Sequence, residues 1–176
     1  MQGIENLINL IIFILPAYFA NASPVAFSFL SKKSLPMDFK LKFSDNRRIF
    51  GKGKTWAGFL VGIFSGTIVG VLIFFLGFRV YEFFLQVFVA FLLSLGALVG
   101  DAMGAFLKRR FSIGSGKILI FVDQTFFLIF ALIFTSPFWP SFFDIKGLVF
   151  ILIFTFVLHI ITNAIAYKLG LKKVPY

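Results

Sequence analysis

The sequence predicts an all-α integral membrane protein with five transmembrane helices. The chain of 176 residues is 60% hydrophobic and only 14% charged, with a mean hydropathy of +1.00, whereas soluble domains are about one-quarter charged. A domain of this size has too small a core to bury so many apolar side chains, so lipid must cover the remainder. We therefore expect a single membrane domain formed by residues 1–176.

Five apolar segments are long enough to cross a bilayer, which takes about 20 residues in a helix. They comprise residues 4–30, 56–76, 84–107, 118–135 and 147–167. Pro16 and Pro24 interrupt the first segment, so we expect its helix either to kink or to end early.

The connections between these segments alternate in charge. Residues 31–55 carry a net charge of +6, residues 108–117 carry +4 and residues 168–176 carry +3, whereas the other two connections are neutral. Because basic loops stay in the cytoplasm, both basic loops and the C-terminus are predicted to be cytoplasmic and the N-terminus outside. Topology thus explains most of the overall charge of +10, and no nucleic acid polymer is expected as a partner.

Two aspartates lie at membrane depth, Asp101 in the third segment and Asp123 in the fourth. Each is roughly 9 Å along a helix from the basic loop that joins the two segments. Charges at such depth are costly and usually functional. Two converging carboxylates repel each other, so one must be protonated, pair with Lys108 or Lys117, or bind a cation. Mg²⁺ fits best, because one or two carboxylates and substrate phosphates commonly hold it.

Two amides occur at a similar depth, Asn21 near the end of the first segment and Asn163 near the end of the fifth. Two interpretations stay open for them. They form hydrogen bonds between helices, or they contact a ligand that is shared with the aspartates.

A glycine- and lysine-rich element with the sequence GKGKT, residues 51–55, precedes the second segment. Its backbone N–H groups lead into a helix N-terminus, where anions bind favourably. Positive charge is added by Arg47, Arg48, Lys52 and Lys54. A Walker-type loop is excluded, because Arg48 stands where that pattern needs a glycine and no strand precedes it. The alternative is a flexible basic loop that lies on anionic lipid.

Taken in order, these residues resemble the membrane CTP:phosphatidate cytidylyltransferases. Bacterial CDP-diacylglycerol synthases open a helix with Lys-Thr-Trp-x-Gly-Phe, which residues 54–59 match, and continue with Gly-Asp and Lys-Arg, which match at Asp101 and at Lys108. A second aspartate in the next helix matches Asp123. The bacterial His-Gly-Gly before that aspartate is missing here, and the shorter five-span form is similar to the archaeal CDP-archaeol synthases.

The resemblance implies a Mg²⁺-dependent enzyme that joins CTP to a prenyl-ether glycerol phosphate lipid, giving CDP-archaeol and pyrophosphate in archaeal phospholipid biosynthesis. It implies that Asp101 and Asp123 bind the metal and the nucleotide phosphates. Lys54, Lys108 and Lys117 would offset charge on the departing pyrophosphate. The further candidates for nucleotide binding are Asn21, Arg47, Arg48, Gly53, Thr55, Arg109 and Asn163. CTP would arrive from the cytoplasm and the lipid from the bilayer.

A transporter that couples to ions or protons through the aspartates is the main alternative function. Two observations favour the enzyme. The acids lie near one membrane surface rather than at the midplane, and no inverted repeat is visible in the five segments.

Overall fold

The computed structural model describes residues 2–30, 34–113 and 120–168, and these ranges are helical for most of their length. The helices are α1 (Gln2–Leu30), α2 (Trp56–Phe75), α3 (Phe83–Arg110), α4 (Ile120–Thr135) and α5 (Ile145–Lys168), with a short 3-10 turn at Ser136–Phe138. Each predicted segment corresponds to one of these helices, and the predicted ends lie within three residues of the observed ones.

Four of these helices are long and apolar enough to cross a membrane, namely α1, α2, α3 and α5. α4 is also apolar but has only 16 residues. The architecture is therefore all-helical and consistent with an integral membrane protein, as predicted. α1 continues through both Pro16 and Pro24, so the expectation that it ends early at a proline is wrong.

α3 is the central helix and packs against α1, α2 and α4. Half of its most apolar window is buried, compared with 11% of the corresponding window of α5. α5 therefore lies at the periphery, and most of its surface is left for lipid.

Glycines on α2 set how closely the neighbouring helices approach. Four of them recur at every fourth position and all are buried: Gly58, Gly62, Gly66 and Gly70. A Cβ on Gly66 would lie 2.5 Å from the carbonyl oxygen of Pro16 in α1, so no larger residue fits there without moving backbone. The other side of α2 exposes Trp56, Leu60, Phe64, Ile68 and Leu72. α2 thus presents glycines to the bundle and large apolar side chains outward, as expected for a helix that faces lipid.

The connection between α1 and α2 is folded around one buried acid, Asp38. Its side chain is fully buried and accepts hydrogen bonds from the Arg48 guanidinium and from the backbone N–H groups of Lys40 (3.0 Å), Phe50 (3.2 Å) and Gly51 (3.0 Å). Burial alone would raise the pKa of this carboxyl, but the donors outweigh it and lower the pKa of Asp38 to about 2. Asp38 therefore stays ionised and fixes the loop.

The same connection is attached to the C-terminal end of α3. The Arg47 guanidinium donates to the carbonyl oxygens of Arg109 (3.3 Å) and Arg110 (3.1 Å), which lie in the last turn, where helix carbonyls lack partners within the helix. Arg110 in turn pairs with Asp45 at 2.9 Å. These contacts place the folded loop across the end of the bundle.

Candidate functional site

Two adjoining cavities open at the end of the bundle that the folded loop covers. The first, which we call the Asn21 cavity, has a volume of about 580 Å³ and lies between α1, α2 and α3. The second, which we call the Asp123 cavity, has a volume of about 420 Å³ and lies between the loop, α3 and α4. The residues that line both are Lys52, Gly53, Lys54 and Asp101.

Asp101 and Asp123 are each paired with a lysine. Lys54 Nζ donates to Asp101 Oδ2, and Lys108 Nζ lies 2.7 Å from Oδ1 and 2.9 Å from Oδ2 of Asp123. The aspartate side chains are 34% and 25% exposed, so they face the cavities rather than sealed hydrocarbon. The pairing offsets the cost of removing each carboxylate partly from water.

The start of α2 holds Lys54 in place. Thr55 is the N-cap residue, and its hydroxyl accepts a hydrogen bond from the Gly58 N–H at 3.2 Å, as N-cap threonines do. The backbone carbonyl of Lys54 accepts from the Met37 N–H at 2.9 Å, and the Trp56 N–H donates to the Leu35 carbonyl at 3.0 Å. The loop therefore fixes the backbone on either side of Lys54, and the Lys54 side chain reaches Asp101.

The structure brings together most of the residues that the sequence analysis proposed for the site. Asn21 and Thr55 line the Asn21 cavity, while Lys108, Arg109 and Asp123 line the Asp123 cavity. Arg109 is held there by hydrogen bonds from its guanidinium to the backbone carbonyls of Phe50 (3.4 Å) and Ile113 (2.7 Å).

Other proposed residues lie elsewhere. Arg47 contacts the end of α3, and Arg48 pairs with Asp38. Within the part of the chain that the structure describes, neither cavity is lined by Arg47, Arg48 or Asn163 on α5. Lys117 lies outside the described residues.

One residue of the site region was missed from sequence, and another was named only for its charge. Lys52 lines both cavities, whereas the sequence analysis gave it only as one of the cations of the GKGKT element. Asp38 organises the loop through donors up to 13 positions away. The sequence does not show which donors an acid in such a basic segment will contact.

The carboxylates supply a donor set that fits Mg²⁺. Asp101 and Asp123 line the same cavity, and their oxygens are the hard ligands that Mg²⁺ prefers. Within the described ranges, no group of three or more His, Cys, Asp or Glu side chains is suited to hold a metal. Two carboxylates alone do not form a closed protein site, so the arrangement fits an ion that binds together with phosphates.

Comparisons with known proteins agree over nearly the whole chain. A protein-family model described as "CarS-like: CDP-archaeol synthase" matches residues 4–176. A CDP-archaeol synthase of Pyrococcus horikoshii is 44% identical over 165 residues, which are 93% of this chain and 94% of the relative. A CDP-archaeol synthase of Thermococcus gammatolerans is 44% identical in an alignment 177 residues long, which covers 100% of both chains.

A solved structure is also similar. It is described as an intramembrane enzyme for archaeal membrane lipid biosynthesis, with a TM-score of 0.76 and 32% identity over 87% of this chain and 91% of that chain. These matches confirm the resemblance found in the motifs, and none of the proteins named here is described as a transporter. The chain therefore belongs to the CarS-like CDP-archaeol synthase family of enzymes.

Proposed function

We propose that this chain joins CTP to a prenyl-ether glycerol phosphate lipid, giving CDP-archaeol and pyrophosphate. The observation that carries the proposal is the composition of the Asp123 cavity, given that the chain belongs to this family. Two carboxylates and four cationic side chains face the same space there. The cations are Lys52, Lys54, Lys108 and Arg109. Such a mixture suits a polyphosphate, because the cations attract its charge and the carboxylates can share a divalent ion with it.

The two cavities suit the two substrates differently. The Asp123 cavity is lined mainly by charged and glycine residues and suits the nucleotide phosphates. The Asn21 cavity adds apolar side chains from three helices, among them Val25, Phe59 and Leu98, and suits the glycerol end of a lipid whose tails stay in the bilayer. The lipid phosphate would then meet the triphosphate beside Lys54 and Asp101, which line both cavities.

The chemistry needs positioning and charge neutralisation more than a covalent catalyst. An oxygen of the lipid phosphate attacks the α-phosphorus of CTP, and the bond from that phosphorus to the bridging oxygen breaks as pyrophosphate leaves. The attacking phosphate is ionised at neutral pH, so no general base is required. Lys54 and Lys108 would leave their carboxylates for phosphate oxygens and stabilise the charge on the leaving group. Mg²⁺ held by Asp101 and Asp123 would supply further neutralisation of the triphosphate.

The proposal includes five membrane crossings, an external N-terminus, and a site on the cytoplasmic side that CTP reaches directly. The positive-inside rule supports it, as does the contact of Arg47 from one basic loop with Arg110 from the other, because this contact places both loops at one end of the bundle. α4 and the 3-10 turn together run over residues 120–138, a length of roughly 28 Å, which is close to the thickness of the hydrocarbon core.

The test is Mg²⁺-dependent incorporation of labelled CTP into lipid by purified variants. We expect Asp101→Asn and Asp123→Asn to lose activity by at least about 100-fold, because each removes charge on which the transition state depends. The matched control is Glu82→Gln, since Glu82 lies at the opposite end of α3 and its side chain makes no capping hydrogen bond there. CTP with Mg²⁺ should raise the apparent Tm of the wild type but not of the aspartate variants. Near-normal activity in both aspartate variants would overturn the metal assignment.

A further inference from the structure

Large apolar side chains project from the folded connection between α1 and α2. They are Leu35, Phe39, Leu41 and Phe43, with exposed fractions of 59%, 56%, 59% and 49%. None of these four lines the Asn21 cavity or the Asp123 cavity. We call residues 35–43 the loop patch.

The loop patch is held on a fixed backbone rather than on a loose one. The Leu41 N–H donates to the Asp38 carbonyl at 2.7 Å, the Ile49 N–H donates to the Leu41 carbonyl at 3.2 Å, and the Phe43 N–H donates to the Arg47 carbonyl at 2.8 Å. The apolar side chains therefore cannot turn inward as a group. A group of large apolar side chains that stays exposed in this way indicates a binding surface.

The patch is continuous with the lipid-facing surface of the bundle. The Phe39 ring lies 6.4 Å, between centroids, from the ring of Trp56, the first residue of the exposed apolar side of α2. The Phe43 ring packs edge-on at 5.6 Å against Phe106 near the end of α3. The patch thus lies beside the ends of two adjacent spanning helices, and Trp56 marks the depth at which tryptophans meet the interface between membrane and water.

Positive charge is interleaved with these side chains. Lys40 and Lys42 alternate with Phe39, Leu41 and Phe43, and both lysines are exposed. The acids nearby are already taken, since Asp38 pairs with Arg48 and Asp45 with Arg110. Within the described part of the chain, neither lysine has an acidic partner among the ion pairs. Apolar side chains mixed with unpaired lysines are typical of segments that lie on anionic lipid.

We propose that the loop patch binds the surface of the protein's own membrane. Its four apolar side chains enter the interfacial layer beside α2 and α3, and Lys40 and Lys42 bind the anionic headgroups of lipids. Asp38 lies inside the patch and accepts hydrogen bonds from Phe50 and Gly51, directly before the cavity-lining Lys52. Lipid contact would therefore hold the cavity-lining part of the loop at the membrane surface.

The chain contains no cysteine, so a single introduced thiol can be labelled without background. In nanodiscs, an environment-sensitive fluorophore on Leu41→Cys should be quenched by lipids that carry a nitroxide near the headgroup and should be shielded from aqueous iodide. The same label on Ile68→Cys, in the exposed side of α2, gives the reference for shielding from iodide by lipid. The free cysteine conjugate in buffer gives the reference for water.

The lysines are tested in the same labelled background. Adding anionic lipid to zwitterionic nanodiscs should increase quenching by the nitroxide lipid, and Lys40→Gln with Lys42→Gln should remove that increase. Lys146→Gln, at the start of α5, is the matched control and should leave it unchanged.

Three results would overturn the proposal. The first is iodide quenching of the Leu41→Cys label equal to that of the free conjugate, which would place the patch in water. The second is shielding from both quenchers, which would assign the patch to a protein contact such as a second copy of the chain. The third is an increase in quenching by anionic lipid that persists in the double lysine variant, which would show that the lysines do not bind the headgroups.

Discussion

Asp38 and Asp101 are both carboxylates beside a basic side chain, but their surroundings give them different tasks. Asp38 is fully buried and accepts from one guanidinium and three backbone N–H groups. Asp101 is 34% exposed, faces both cavities and is paired with Lys54. A carboxylate held by four donors is fixed by the fold, whereas one that faces a cavity beside a flexible lysine can exchange that partner for a ligand.

Replacing Asp38 should destabilise the protein, although Asp38 itself lines neither cavity. We expect Asp38→Asn to cost about 3 kcal/mol, because it leaves the partly buried Arg48 guanidinium without its counter-charge, and to lower the apparent Tm by on the order of 10 °C. The control is Asp45→Asn, whose carboxylate is one-third exposed and should contribute less than about 1 kcal/mol.

The pH dependence of the Asp38 contribution has a definite sign. The folded pKa of Asp38 is about 2, below the ordinary value of 3.8, so its contribution to stability is fully present above that ordinary value and is lost as the pH falls toward 2. The Tm difference between wild type and Asp38→Asn should therefore be constant at neutral pH and shrink in this acidic window. A difference that grows on acidification would contradict the assignment.

Single residues also show what the sequence could and could not predict about the site. The motif identified Lys54, Asp101, Lys108 and Asp123, and the structure gathers all four around the Asp123 cavity. Their roles stay predictions, because no ligand contact tests them. The same reasoning treated Arg48 as a nucleotide contact, whereas its guanidinium pairs with Asp38. A motif shows which cations lie near a site, but their partners depend on contacts between distant positions.

For the helices, the sequence predicted where they begin and end but not how they pack. Their ends were predictable, because apolar segments are bounded by charged residues or by the N-cap Thr55. The close packing of α2 was not singled out, although its four buried glycines at every fourth position are visible in the sequence. The fold of the loop between α1 and α2 could not be derived, because it depends on Asp38 reaching Phe50 and Gly51.

Adding one carbon to the packed side of α2 should be costly. A Cβ on Gly66 would lie 2.5 Å from the carbonyl oxygen of Pro16, so in Gly66→Ala the backbone must move. We expect a loss of at least about 1–3 kcal/mol, measured as a lower apparent Tm.

Substitutions at two other glycines give reference values for the Tm of Gly66→Ala. Gly3→Ala should be neutral, because no atom lies within 4 Å of the position of its Cβ. The Tm of Gly104→Ala should lie between those of the other two variants, since its Cβ would meet the movable Val122 side chain at 3.2 Å. Equal Tm values for all three variants would show that the glycines do not determine the helix packing.

For the whole molecule, the topology depends on whether the short helix α4 crosses the membrane. If it does, the turn after α3 and the turn before α5 lie on opposite sides. Ser112 and Ser141 are exposed residues in these two turns. Because the chain lacks cysteine, each can carry a single thiol.

We expect a membrane-impermeant maleimide to modify Ser112→Cys from the cytoplasmic side and Ser141→Cys from the outside. The positive-inside rule predicts that the basic loop after α3 is cytoplasmic. We expect α4 and its 3-10 turn to cross because together they run for roughly 28 Å, about the thickness of the hydrocarbon core. The measurement compares inverted vesicles with intact cells, and detergent-solubilised protein controls for reactivity. Modification of both thiols from one side would contradict the five-span topology.

Lys54 and Asp101 stand between the Asn21 cavity and the Asp123 cavity, and they line both. Part of the partition is therefore an ion pair between two side chains, and side chains move apart more readily than a stretch of backbone. A ligand that draws Lys54 away in one cavity changes the charge and shape of the other. The occupants of the two cavities are thus energetically linked, and each must change the affinity for the other by the same factor.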